Sequence, residues 1–98
     1  MNMNAMLKQA QAMQRDMMKA KEEIDNTTFE ATNGFVTVTM KGTKEVTNVK
    51  LDTTSIEADD IEMVQDMIMI AVNEASHKID KLTEEKLGRY TKGMPGLF

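Results

Sequence analysis

Three basic side chains, Lys8, Arg15 and Lys19, recur at spacings of seven and four residues. On a helix turning about 100° per residue they fall within about 40° of one another and form a single row. A second set, Lys78, Lys81, Lys86, Arg89 and Lys92, spreads over about 140° of a helix, with Glu85 inside the arc. Rows of Lys and Arg on one helix face can neutralise the phosphates of a nucleic acid, and they are equally the pattern of an ordinary solvated face. Between the two sets, residues 51–77 hold seven acids (Asp52, Glu57, Asp59, Asp60, Glu62, Asp66 and Glu74) and no Lys or Arg. The formal net charge of −4 therefore conceals basic ends around an acidic middle, which keeps a polyanionic partner open despite the overall sign.

The remaining chemistry-bearing residues point away from catalysis. Eleven methionines could offer thioethers to copper(I), but most sit at the spacing of a helix seam, where packing accounts for them. His77 is the only histidine, and no Ser or Cys stands at a spacing that would make it a general base. Asp59, Asp60 and Glu62 lack the alternating oxygen ligands and central glycine of a calcium loop, and suit the first turn of a helix instead. Cysteine is absent, which removes disulfides and the usual structural zinc sites. No glycine-rich phosphate loop or dinucleotide fingerprint occurs. These readings predict a protein that is not an enzyme, with no catalytic residue, metal, cofactor or small-molecule substrate.

The elements that must position the basic rows follow from periodicity. Met3, Met6, Ala10, Met13, Met17, Ala20 and Ile24 alternate at spacings of three and four, the a/d seam of a coiled coil, and predict a helix over 3–25. Lys8, Arg15 and Lys19 lie opposite that seam. From Thr27 the period changes to two, and strands are expected at 27–32, 35–41 and 45–52. Asn33-Gly34 predicts a type I′ hairpin between the first two, and Gly42 marks the second turn. Val36, Val38 and Met40 should point to one face, with Thr37, Thr39 and Lys41 on the other, as in a sheet with one covered side. A second helix is expected over 59–90, opened by Asp59-Asp60. Its stripe of Ile61, Val64, Ile68, Ala71, Val72, Ala75, Ile79 and Leu82 would cover the sheet.

A chain of 98 residues is the size of one domain, 1–98, whose core is marginal unless something adds buried area. Met63, Met67 and Ile70 give the second helix a further apolar side, so the expected addition is a second copy. The expected dimer interface uses those three residues with Met13 and Met17 of the first helix. No apolar run approaches a membrane span and the start has no signal-peptide pattern, so the protein is expected to be cytoplasmic, without a membrane partner. The tail 92–98, with two glycines and the only proline, is expected to be flexible.

The order of these features resembles the YbaB/EbfC family of small bacterial nucleoid-associated proteins. The resemblance runs through Asn2-Met3-Asn4, Lys8-Gln9-Ala10-Gln11-Ala12-Met13-Gln14, and Gly34-Phe35-Val36-Thr37-Val38-Thr39, then Gly42, Val49 and Asp52. It continues through Asp59-Asp60-Ile61-Glu62-Met63-Val64-Gln65-Asp66-Met67-Ile68, Ala71-Val72-Asn73-Glu74-Ala75 and Gly93-Met94-Pro95-Gly96-Leu97-Phe98. It implies an α+β, α-β-β-β-α protomer with a three-stranded antiparallel sheet and two long helices, paired as a tweezer-like homodimer in the nucleoid. It also implies binding of double-stranded DNA with modest sequence preference, and effects on nucleoid organisation and gene expression. The family's DNA contacts are attributed to helical arms, and the matching basic positions are Lys8, Arg15, Lys19, Lys78, Lys81, Lys86, Arg89 and Lys92. Thr53 departs from the family, which commonly has proline after the third strand. The alternative function is an acidic dimeric adaptor or chaperone that grips a partner protein through Met-rich surfaces.

Overall fold

In a computed structural model of the chain, residues 2–52 and 56–91 are described. The tail 92–98 and Thr53 lie outside them. Helix α1 spans Met3–Asp25. Asn2 starts it: its Oδ1 accepts a hydrogen bond from the Ala5 backbone N–H at 2.8 Å, which satisfies one of the donors every helix N-terminus leaves over. Asn26 closes it, and the Thr27 hydroxyl donates back to the Glu23 carbonyl at 2.6 Å.

Three strands follow, β1 at Thr28–Asn33, β2 at Val36–Lys41 and β3 at Val46–Leu51, in the sheet order β1-β2-β3. Both pairings are antiparallel, with Asn33 opposite Val36 in the first and Val38 opposite Val49 in the second. The hairpin differs from the expected type I′ turn. Its two loop residues are Gly34 and Phe35, and only Gly34 has a positive φ, +58°. A type I′ turn needs positive φ at both central positions, whereas a glycine in the first position alone is the type II′ pattern. Asn33 is thus the last strand residue, and the glycine signal was right about the hairpin but one residue early about its centre.

Gly42 also has a reason beyond the turn. It is buried, and a Cβ there would meet the backbone carbonyl of Ile24 at the end of α1. The positive φ of this second turn falls instead on Lys44, at +72°. A 3-10 turn, Ala58–Asp60, precedes helix α2, Ile61–Thr91. Asp60 acts as expected of a capping acid, its Oδ2 accepting from the Glu57 N–H at 3.0 Å.

Helix α2 lies across β1 and β2, and its far half packs against α1. One buried cluster joins Ile24, Ala31, Met40, Ala75, Ile79 and Leu87. A second joins Val36, Val38 and Ala71. Ala71 and Ala75 carry little side chain, which lets the helix axis approach the sheet closely enough for Val36, Val38 and Met40 of β2 to be buried beneath it. One member of the expected stripe departs from it. Ile61 is 54 % exposed, because it sits in the first turn of α2, before the buried run over the sheet begins at Val64. Leu82 keeps to the stripe, packed against the cluster that joins Ala31 and Met40 of the sheet to Ile24 and Leu87 of the helix pair.

Candidate nucleic-acid interface

The basic row of α1 is built by the same periodicity that buries the other side of the helix. Met17, Ala20 and Ile24 pack in the cluster that includes Ile79 and Leu87 of α2. Lys8, Arg15 and Lys19 project from the opposite side and are exposed. None of the three has an ion pair among the described residues. Along the axis they span about 16 Å at 1.5 Å per residue. That length matches about five steps of a nucleic-acid strand rising 3.4 Å each.

The second basic set is more engaged. Lys78 donates to the Glu30 backbone carbonyl at 2.7 Å, which ties α2 to β1. Lys86 pairs with Glu23 across the helix pair at 3.5 Å. Arg89 stacks over the Tyr90 ring at 4.7 Å from its centroid and donates to the Tyr90 hydroxyl at 2.6 Å. Lys81 is exposed, and Lys92 lies outside the described residues. Lys78 and Lys86 therefore link elements as well as carrying charge, while Arg89 engages only its neighbour on the same helix. All their partners leave the cations solvent-accessible, so they still contribute to the field of the arm formed by α1 and the end of α2.

Two basic residues were not singled out in the sequence. Lys21 lines a shallow concavity with Arg15, Met18, Lys19, Glu22 and Asp25, and pairs with Asp25 at 3.4 Å. The (i, i+4) spacing that makes this pair was legible. Lys44 reaches Asp80 at 2.7 Å, a link between the β2–β3 turn and α2 that no local spacing announces. Among the described residues no group of His, Cys, Asp or Glu is arranged to hold a metal, and no helix is long and apolar enough to cross a membrane.

The expected dimer residues divide. Met67 packs within the protomer, its Sδ and Cε lying over Gly34 beside Val36 and Val38. Met17 is likewise packed against α2 of its own chain. Met63, Ile70 and Met13 are exposed.

An arm of two antiparallel helices beside an antiparallel three-stranded sheet, with Lys8, Arg15 and Lys19 outward, defines a class, and comparison with known proteins gives it a family. The chain belongs to the YbaB/EbfC DNA-binding family, whose model matches residues 1–94. It is 44 % identical over 97 residues to a nucleoid-associated protein of Enterococcus faecalis, covering 97 % of this chain and 93 % of that one. It is 46 % identical over 101 residues to nucleoid-associated protein OB0030 of Oceanobacillus iheyensis, covering 99 % and 97 %. The crystal structure of HP0035 from Helicobacter pylori superposes with a TM-score of 0.72 at 19 % identity, covering 95 % of this chain and 99 % of that chain. It shares the fold.

Proposed function

We propose that the protein is a nucleoid-associated protein that binds double-stranded DNA as a homodimer, holding the backbone through its helical arms. The observation that carries this reading is the exposed row of Lys8, Arg15 and Lys19 on the side of α1 turned away from α2, with no ion pair among the described residues. Family membership supports the ligand. Phosphate contacts position a protein on a duplex without reading sequence. With no aromatic row or recognition helix evident in the sequence, sequence preference is modest, and effects on nucleoid organisation and gene expression follow from coverage of the duplex. The acidic start of α2 repels a duplex, so DNA meets the arms first.

Dimerisation rests on apolar surface that the protomer leaves open. Residues directly opposite on paired strands share a face, so Val49 lies on the same covered face as Val38. Helix α2 lies over β1 and β2, and Val49 stays 41 % exposed. A second copy covers Val46 and Val49 of β3 and the Met63 and Ile70 side of α2, and doubles each basic row.

If a dimer neutralises about six phosphates, log K against log salt has a slope of roughly −5, and affinity falls about a thousandfold between 50 and 200 mM salt. The K8Q/R15Q/K19Q variant should flatten this slope by at least about 2, while circular dichroism and oligomeric state stay those of the wild type. A triple variant with wild-type affinity and slope removes α1 from the site. If the wild type also fails to shift DNA at low salt while a pull-down retains a protein, the adaptor reading takes its place.

A further inference from the structure

Two large apolar side chains of α1 stand off its seam. Leu7 is 57 % exposed and Met18 62 %, and neither packs in a buried cluster. With Gln11 they fall within about 40° of one another on the helix surface and form a line of their own. Gln11 is turned about 120° from Met17, which packs against α2, and it is exposed. Its amide makes no hydrogen bond among the described residues. Lys8 and Arg15 are its surface neighbours three residues before and four after, and with Lys19 they lie about 40–80° to one side of it. No acidic residue precedes Asp16. An uncharged line of donor, acceptor and apolar groups thus runs beside the basic row, and packing within the protomer accounts for none of it.

We infer that α1 lies in the major groove of B-form DNA and that Gln11 reads an adenine there, with Leu7 against a nearby thymine methyl group. The inference rests on the DNA-binding reading above and adds base recognition to its phosphate contacts. An α-helix with its side chains is about 10–12 Å across, and the major groove is about 12 Å wide. When the basic row faces the phosphates of one groove wall, a residue about 40–80° round the helix faces the floor. The amide of glutamine is the complement of adenine's major-groove edge: Oε1 accepts from the N6 amino group and Nε2 donates to N7. Leu7 is about 6 Å from Gln11 along the axis, which is about two base pairs at about 3.4 Å each. A thymine methyl group there removes from water part of the leucine that the protomer leaves exposed. Met18, about 10 Å beyond Gln11, offers the floor a second, adaptable apolar contact. One amide and two apolar contacts per arm are few, which fits a modest sequence preference.

Selection from a library of random duplexes at fixed salt should enrich A·T pairs at set positions with the wild type, and lose that enrichment with Q11A. Alanine is the better helix former and no packed contact is removed, so the circular dichroism of Q11A should match the wild type. Its salt slope should match as well, because no phosphate contact is lost. In the selected site, 7-deaza-adenine, which lacks the N7 acceptor, should weaken wild-type binding on the order of tenfold and leave Q11A unaffected. Deoxyuridine in place of thymine removes only the methyl group, and should weaken the wild type more than L7A. A pool without positional preference, a Q11A pool equal to that of the wild type, or 7-deaza-adenine tolerated by the wild type overturns the inference and leaves phosphate binding standing. Equal weakening of wild type and L7A by deoxyuridine overturns the part given to Leu7. A wild type that binds no duplex at low salt overturns both the inference and the reading beneath it.

Discussion

At Gly42 an added Cβ would land on the carbonyl group that ends α1, and backbone cannot step aside as a side-chain tip can. Gly42→Ala should therefore cost about 1–3 kcal/mol by overpacking, read as a lower urea midpoint with an unchanged slope. Gly34 poses a different problem. A Cβ there meets Met67 Cε at 2.8 Å and Sδ at 2.9 Å, the far end of a flexible side chain, so the positive φ dominates. Gly34→Ala should cost about 1–2 kcal/mol, the penalty for placing a side chain in the left-handed region, and M67A in the same background should recover little of it. The position of Met67 also settles how an interface variant behaves. Met67 is half-buried beside Val36 and Val38, so a charge there should disturb packing within the chain as well as any interface, whereas one at the exposed Ile70 tests the interface alone.

At the scale of elements, the arm depends on one residue more than any other. Leu87 is 2 % exposed and sits where the end of α2 meets α1. Leu87→Ala should cost about 2–5 kcal/mol by removing buried methylenes and leaving a cavity. Exchange should rise first in α1, ahead of the sheet, because Val36, Val38 and Ala71 belong to a separate cluster. The solvent-exposed pairs Lys86–Glu23 and Lys44–Asp80 contribute far less. Exposed ion pairs typically add about 0–1 kcal/mol and weaken with salt. They orient the arm and the β2–β3 turn, and Lys86→Gln should leave the unfolding midpoint within experimental scatter.

The whole protomer measures 70 × 21 × 14 Å with a radius of gyration of 19.3 Å, against about 13 Å for a compact chain of this length. So extended a molecule has little interior for its surface, and the exposed Val46, Val49, Met63 and Ile70 are the area a partner copy can remove from water. On the dimer reading, wild type sediments as a dimer at micromolar concentration and its thermal midpoint rises with concentration. Val49→Glu or Ile70→Glu should shift the population toward monomer. A wild-type protein that sediments as a stable monomer ends the dimer reading and with it the doubled basic row.

Local spacing was enough to determine the helix of residues 3–25, the change to strands after Asn26, the inward face of Val36, Val38 and Met40, and the row of Lys8, Arg15 and Lys19, because each repeats with the period of its own element. The sequence also carried the family, since its motifs run in order along nearly the whole chain. Tertiary structure alone decided which partner each apolar side chain finds. The seam of α1 reads as one continuous stripe, yet α2 covers only its second half. Met67 shares a stripe with Met63 and Ile70, yet it turns onto the β1–β2 hairpin. Lys78, Lys86 and Arg89 look alike as cations, and the fold gives each a different neighbour. Periodicity states that a face will be buried, but the surface that buries it comes from residues tens of positions away, and only packing in three dimensions brings the two together.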